Sequence, residues 1–273
     1  MNARSPVTAT QGRADLHIHT LASDGTSSVA EILDHAEHHP GLDVIAITDH
    51  ERIDAALAAR AMAEDRGLRV RVIVGEEITT LGGHLLGLFL ERPVKPFRTL
   101  RSSIAAVHDQ GGIAIPAHPL VPYPLCAQGF MLRRLLAEED PRYRPDAIEA
   151  FNPTMLGRCR HGAVIRFARQ HRLATVGSSD AHSAADIGRG WTTFEGRAPE
   201  DIRAAIVART TAHHGRFQGT AGQVGTFARQ LRKYGRDLRA EVGGRLLRDG
   251  TGRDLGYPGG TDRPPRFDRE ATR

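Results

Sequence analysis

The chain has 273 residues, two cysteines and a formal net charge of +5. This length suits one large α/β domain, and two cysteines exclude a disulfide framework. No window approaches the roughly 18 consecutive apolar residues of a membrane-spanning helix, and residues 1–12 lack the apolar run of a secretory signal. We therefore expect a cytoplasmic protein with a flexible N-terminus over residues 1–12 and no membrane span.

Short apolar runs alternate with stretches of helical period along the first three quarters of the chain, which is typical of strand-helix units around a parallel sheet. The predicted strands are Ala14–His19, Asp43–Thr48, Arg69–Ile78, His84–Leu90, Gly112–Ala117, Asp146–Phe151 and Ala174–Gly177. The predicted helices are Val29–His38, Ile53–Arg66, Thr99–Gln110, Gly157–His171 and Glu200–Arg209. Seven strands indicate a barrel or a strongly curved open sheet, in which function gathers at the carboxyl ends of the strands.

The C-terminal quarter differs in charge from the rest. Residues 215–273 carry 13 basic and 7 acidic side chains, a net of +6, which leaves the first 214 residues at about −1. We expect a basic amphipathic helix followed by a disordered tail. A helix docked on the domain is the simpler interpretation, and contact with nucleic acid or with a membrane surface is the alternative. The apolar positions that recur at helical spacing are Val224, Phe227, Leu231, Tyr234 and Leu238.

Residues that commonly bind metal ions follow one predicted strand after another. His17 and His19 lie two apart on the first strand, so both project from the same face. Alone this pair is a weak signal, but seven further donors occur at the ends of other predicted strands: Asp24, His50, Glu77, His84, His118, Asp180 and His182. These side chains would converge in one mouth, where imidazoles and carboxylates need cations to compensate them.

The donor set also indicates which ions are expected. Mixed nitrogen and oxygen ligands suit zinc, manganese or iron(II). Nine donors exceed the three to six protein ligands that one ion accepts. We therefore predict two or three divalent ions, with Glu77 as a bridging carboxylate.

The motifs resemble those of the PHP family, named for its polymerase and histidinol phosphatase members. His17-Ile18-His19, Thr48-Asp49-His50, Gly75-Glu76-Glu77, Ala117-His118-Pro119 and Ser179-Asp180-Ala181-His182 occur in the family's order. The resemblance implies a distorted (β/α)7 barrel over residues 13–214, similar to a TIM barrel, and metal ligation by all nine residues. The resemblance also indicates a compact form. Members that act on nucleotides or RNA often carry a long helical cap after the fourth strand, whereas only residues 91–98 separate that strand from the next helix in this sequence. Residues 121–144 are a candidate for a smaller lid.

Other residues near the motifs have more than one interpretation. Asp49 is expected to hydrogen-bond a ligand, or to act as an acid or base, and His182 or Asp49 is the candidate proton donor. Arg189 is a candidate to grip a phosphate, or a surface turn residue. Asn152 would face the substrate or cap a helix. Glu76 is interpreted as a solvated acid, and the cysteines Cys126 and Cys159 as inert.

A multinuclear site lowers the pKa of bound water to about 7, which favours hydrolysis of a phosphate ester by a metal-activated hydroxide. We predict an enzyme that acts on a small phosphorylated metabolite or nucleotide as a phosphatase. A phosphodiesterase or exonuclease, to which the basic tail delivers short nucleic acid, is the first alternative. A non-catalytic PHP binding module is the second. The sequence does not indicate an oligomeric state.

Overall fold

The first strand of the protein begins at Gln11, three residues before the predicted start at Ala14. The computed structural model describes residues 10–122 and 125–217, and these belong to one compact unit that spans Met1–Lys233. The predicted basic helix and disordered tail fall on residues 218–273, outside the described residues.

The described elements alternate in the order expected of an α/β fold. The strands are β1 Gln11–Ile18, β2 Val44–Ile47, β3 Arg71–Thr80, β4 Gly83–Leu88, β5 Ile113–Pro116, β6 Ala147–Phe151, β7 Ala174–Gly177, β8 Gly190–Glu195 and β9 Ala212–Gly215. The helices are α1 Val29–His38, α2 Asp54–Asp65, α3 Leu100–His108, α4 Gly129–Leu136, α5 Met155–His171 and α6 Pro199–Ala208, with single 3₁₀ turns at Pro141–Tyr143 and Ala184–Asp186.

The strands form a curled sheet, which confirms the predicted fold class. Seven of them pair in the order β5-β4-β3-β2-β1-β8-β9, and β6 and β7 form a second, parallel pair. The pair lies between the two ends of the large sheet, since Asp146 N–H donates to the Ala114 carbonyl at 3.0 Å and Gly177 N–H to Thr192 Oγ1 at 3.0 Å. Strands β1, β2 and β3 are parallel, so their carboxyl ends meet at one edge.

Two strands and one helix were absent from the sequence prediction. β8 and β9 are short and rich in Thr and His, and they gain order by antiparallel pairing with β1 and with each other. Such pairing joins residues far apart in the chain, and no local pattern reveals it. Helix α4 lies within the segment proposed as a lid.

Local sequence signals set the helix boundaries that were predicted well. Helix α1 begins with a capping box in which the Ser28 hydroxyl accepts the Glu31 N–H and the Glu31 carboxylate accepts the Ser28 N–H at 2.7 Å. This motif satisfies backbone donors that the first helical turn leaves free. The observed bounds of α1 therefore equal the predicted ones.

Apolar side chains pack on both faces of the sheet. Ala14, Leu16 and Val44 belong to the inner cluster, whereas Ile45 and Ile47 pack with Ile32 and other helix residues in the outer one. Every residue of β2 is buried, as expected for a strand covered on both sides. Among residues 10–122 and 125–217, no helix combines the length and apolar character needed to cross a membrane.

Candidate metal centre

The His-x-His pair lies at the carboxyl end of β1, where the strand is irregular. The register with β2 shifts between Asp15 and Ile18, and Leu16 packs in the inner cluster while Ile18 packs against the helices. His17 and His19 are fully buried, with ring centroids 5.0 Å apart. The structure therefore places both imidazoles in the same space.

The Glu77 carboxylate is the centre of the cluster. It lies on β3 at 2 % exposure, and its two oxygens face different histidines. Oε1 is 2.8 Å from His84 Nδ1 and 3.0 Å from His118 Nε2. Oε2 lies near three Nε2 atoms, at 3.1 Å from His17, 3.2 Å from His19 and 3.5 Å from His50. One carboxylate therefore joins imidazoles from the ends of β1, β2, β4 and β5.

Two aspartates and a further histidine complete the cluster. His182 Nε2 is 3.0 Å from Asp24 Oδ2, and Asp24 Oδ1 is 3.4 Å from His19 Nδ1. Asp180 Oδ1 lies 3.5 Å from the Nε2 atoms of both His17 and His19. Asp180 has φ 51°, a strained value for a residue other than glycine. All nine residues predicted as donors are thus brought together.

Burial and the attraction between imidazoles and carboxylates have opposite effects on the charge state of this cluster. Burial disfavours the charged forms, but the neighbouring histidines, His17 first, hold the pKa values of Glu77 and Asp180 well below the usual carboxyl range. Conversely, against burial, contacts with Asp180 and Glu77 raise the pKa of His19 to about 10. Without other cations, protons on the imidazoles balance the carboxylates.

The arrangement fits divalent cations. Two buried ring nitrogens, His19 Nε2 and His84 Nδ1, make no hydrogen bond among the described residues, although a Glu77 oxygen lies within 3.2 Å of each. Once their protons are displaced, both nitrogens are therefore available to a metal ion. Three groups of donor atoms lie within 4.8 Å of one another: His17, His19 and Glu77; His19, Asp24 and His182; and His50, Glu77 and His84. Nitrogen and oxygen donors of this kind suit zinc, manganese or iron(II).

Asp49, predicted as a hydrogen-bond partner or an acid-base group, fastens the loop that carries Asp24. Its carboxylate accepts the Thr20 N–H at 2.8 Å and the Thr20 hydroxyl at 2.7 Å, and it also accepts the Ser23 hydroxyl. Asp49 is 1 % exposed. Its contacts are those of a group that orders the loop.

The two predicted substrate-binding residues differ in location. Asn152 is buried beside the cluster, and its amide donates at 3.2 Å to Asp180 Oδ2 and at 3.2 Å to Glu149 Oε2. Arg189 does not join the cluster. Its Nε donates to Asp186 at 2.9 Å, and its side chain lines a separate cleft with Trp191.

Glu149 is a buried residue of the site that sequence reasoning missed. Its carboxylate lies 3.1 Å from His17 Nδ1, accepts the Ser178 hydroxyl at 2.5 Å and accepts the His118 N–H at 2.5 Å. A carboxylate on Nδ1 leaves Nε2 of the same ring free to face a metal ion. The available signal was one acid within the otherwise apolar strand β6.

One interpretation of a neighbouring residue was wrong, and the predicted inertness of Cys126 stays a prediction. Glu76 is not a solvated acid, because strand β3 is covered on the side opposite Glu77 as well, and Glu76 is fully buried where its carboxylate accepts the Val94 N–H at 2.8 Å. Burial raises the pKa of Glu76 to about 7. Cys126, taken as inert, has its sulfur 3.3 Å from His118 Nδ1.

Comparisons with known proteins agree with this geometry. The family model described as "PHP domain" matches residues 15–133, and the model described as "PHP-associated" matches residues 160–211. A two-domain protein from Bacteroides vulgatus, described as containing a predicted PHP-like metal-dependent phosphoesterase, aligns with a TM-score of 0.62 at 21% identity, over 81% of this chain and 70% of that one. At this identity the likeness shows the fold.

Two curated relatives are similar in sequence. An uncharacterized protein of Methanocaldococcus jannaschii, MJ1587, is 34% identical over 121 residues, which are 40% of this chain and 69% of the relative. A 5'-3' exoribonuclease of Haemophilus influenzae is 31% identical over 105 residues, 37% of each chain. This alignment thus spans little more than a third of the exoribonuclease. Residues 89–99, between β4 and α3, contain no helix, in agreement with a compact form.

Proposed function

Because the chain belongs to the PHP family, we propose that it is a metal-dependent phosphoesterase that hydrolyses a phosphomonoester of a small metabolite or nucleotide. One observation carries the proposal, namely the convergence of nine histidine and carboxylate side chains around the buried Glu77. So many buried titratable groups are costly unless cations compensate them.

These residues would hold two or three divalent ions. Glu77 is placed to serve two ions, since one of its oxygens faces His17, His19 and His50 and the other faces His84 and His118. Asp24 and Asp180 provide the remaining donors, and His182, bonded to Asp24, is left to move a proton. Bound there, divalent ions would polarise the phosphoryl oxygens and lower the pKa of a coordinated water.

The protein's own groups position the donors and supply a proton. Asn152 holds Asp180, and Asp49 holds the loop that precedes Asp24. We assign protonation of the leaving oxygen to His182, because its side chain is 13 % exposed at the mouth, whereas Asp49 is buried and occupied by Thr20 and Ser23. Arg189 lies outside this set of contacts and receives no role in the reaction.

A terminal phosphate suits the limited exposure of the donors. His50, the most open of the residues in these ion pairs, has 27 % of its side chain exposed, and His17 and His19 have none. We therefore infer that a ligand enters end-on, with its phosphate facing the ions that Glu77 and the histidines would hold. This geometry favours a monoester over an internal diester.

An exonuclease is the second candidate. The similarity to the Haemophilus influenzae 5'-3' exoribonuclease favours it, and an exonuclease also works on one end of its substrate. In this case the scissile group is the last phosphodiester of a short strand. A phosphomonoesterase and an exonuclease differ in what is bound beyond the reacting phosphate.

The test is a panel of phosphomonoesters, cyclic phosphates and short oligonucleotides, assayed with manganese, zinc or iron(II), together with the metal content of the purified protein. We expect hydrolysis of monoesters, and loss of both metal and activity in the double variant His17→Ala/His19→Ala. Absence of hydrolysis with every metal, with bound metal unchanged in that variant, would show a non-catalytic binding module. Cleavage of oligonucleotides alone would select the exonuclease.

A further inference from the structure

Arg189, predicted to grip a phosphate, lies on a second concave surface of the protein. This surface, here named the cationic cleft, has a volume of about 470 Å³ between α1, the turn that precedes β8, and the ends of β1 and β9. None of the nine donor residues of the metal centre lines it. Its principal side chains are Arg13, His35, His39, Arg189, Trp191 and Arg216.

The lining of the cleft is positively charged. Three arginines contribute to it, and none of the described residues in the lining is acidic. Arg13 and Arg216 have no carboxylate within ion-pair distance among the described residues, whereas Arg189, the third arginine of the lining, is paired with Asp186. Two guanidinium groups are thus left for an anionic ligand.

His39 supports this interpretation independently. Its Nδ1 is buried and makes no hydrogen bond among the described residues. Burial lowers the pKa of His39, and the nearby His35 and Arg13 lower it further. The field inside the cleft is therefore unfavourable to a further positive charge and favourable to an anion.

Trp191 forms a rigid wall of the cleft. Its ring lies between the Arg13 guanidinium, 5.4 Å from the ring centroid, and the imidazole of His214, stacked at 5.7 Å and 15°. The arginine is held over the aromatic face, so it loses little freedom when it binds a ligand. Trp191 is also the only tryptophan of the chain, so its fluorescence reports on this cleft.

The turn that forms the floor depends on a glycine. Gly188 has φ +76°, and a Cβ there would lie 2.6 Å from His39 Nε2. Its N–H donates to Asp15 at 2.8 Å, and Asp15 also accepts the N–H of Ser179 at 2.9 Å. The cleft is thus built on the same buried aspartate that anchors the segment before Asp180.

We propose that the cationic cleft binds phosphate groups of a single-stranded nucleic acid. Guanidinium groups recognise phosphates through paired N–H donors, and Arg13 and Arg216 have such donors available in the cleft. The sequence that follows Arg216 adds five basic residues within 24 positions: Arg229, Arg232, Lys233, Arg236 and Arg239. Several basic residues in this part of the sequence favour a polyanion over a single anion. This binding does not depend on the proposed hydrolysis.

The test uses the full chain and a thymidine decamer, with Trp191 emission as the signal. We expect a saturable change in emission, an affinity that falls as salt increases, and no response to inorganic phosphate at the same phosphate concentration. The double variant Arg13→Gln/Arg216→Gln should bind about tenfold more weakly, and its salt slope should fall by about 0.7 for each phosphate that an arginine no longer neutralises. Its phosphomonoester hydrolysis should be unchanged.

A matched variant, Arg92→Gln/Arg134→Gln, removes the same charge at two residues outside the lining. Equal weakening by both double variants would overturn the proposal, because it would reduce the effect to net charge. An equal response to inorganic phosphate would overturn the assignment to nucleic acid. The decamer titration is repeated with the His17→Ala variant, in which hydrolysis should be lost, so that any change in Trp191 emission reports binding alone. Decamer binding can therefore be judged even if the proposed hydrolysis is wrong.

Discussion

The metal centre and the cationic cleft lie on one scaffold and treat charge in opposite ways. In the metal centre, carboxylates and imidazoles are buried together and lie within hydrogen-bond distance. In the cleft, guanidinium groups face solvent with no acid in the described lining. In the metal centre, bound metal ions can replace the protons that balance the buried carboxylates. In the cleft, a polyanion can balance the exposed arginines. Variants that affect one region and spare the other test this division.

The largest effect is expected from Glu77→Gln. The amide removes the negative charge shared by five histidines, so bound metal should be lost and phosphomonoester hydrolysis should fall by about 10³-fold or more, since such ions supply several kcal/mol of transition-state stabilisation. Metal content and initial rates measure this. Decamer binding at the cleft should remain, and its loss would show that the two regions are not separate.

Glu149→Gln should have the next largest effect, because it weakens the carboxylate contact that fixes the His17 ring. Groups of this kind typically change metal affinity about 10- to 100-fold. Calorimetric metal titration and the absorption spectrum of the cobalt-substituted protein measure the loss. Ser178→Ala serves as a control, since it removes one hydrogen bond to Glu149 and leaves the His17 contact in place. An unchanged cobalt spectrum in Glu149→Gln would argue against a positioning role.

Glu76→Gln tests a buried acid that, unlike Glu77, has no cationic partner. The pKa of Glu76 rises from 4.5 to about 7 in the folded protein, so the native state binds this proton more tightly than the unfolded chain. Its contribution to stability is therefore present below pH 4.5 and lost as the pH rises to about 7.

The variant lacks this titration. Relative to the wild type, its free energy of unfolding should gain roughly 2 kcal/mol between pH 5 and pH 8. Urea unfolding at both pH values measures the difference. The exposed Glu91→Gln should show no such change with pH. If the difference in free energy of unfolding between Glu76→Gln and the wild type did not change with pH, the raised pKa of the Glu76 carboxyl would be contradicted.

A last prediction separates the two regions by pH. With the pKa of His19 raised to about 10, this imidazole is protonated at pH 8 in the metal-free protein, and a metal ion must displace the proton. Metal affinity should therefore rise with pH between 7 and 9, by about tenfold per unit for each proton displaced. Calorimetry in buffers of different ionisation enthalpy counts the released protons.

Arginines keep their charge over this range, so decamer binding at the cleft should release no protons through them. Metal binding without proton release would contradict the charge state described for the metal centre.

Sequence reasoning predicted much of the fold and the nine side chains that the structure brings together around Glu77. The bounds of α1 follow from a capping box, and the buried strand β2 follows from a continuous apolar run. The nine donors were identified because each lies in a short motif at a strand end. Their convergence followed from a rule of topology, that parallel strands end at one edge.

The sequence alone determined which side chains are the candidates for metal binding, since motif residues are local and strand ends are predictable. The tertiary structure alone decided what surrounds them. The His17 partner Glu149 lies 132 positions away, and Glu76 is buried by a segment that has no strand or helix pattern. Arg189 lines the cleft because the unpredicted strand β8 pairs with β1 and the unpredicted strand β9 pairs with β8. Burial and charge pairing depend on which distant segments meet, and that information resides in packing rather than in local pattern.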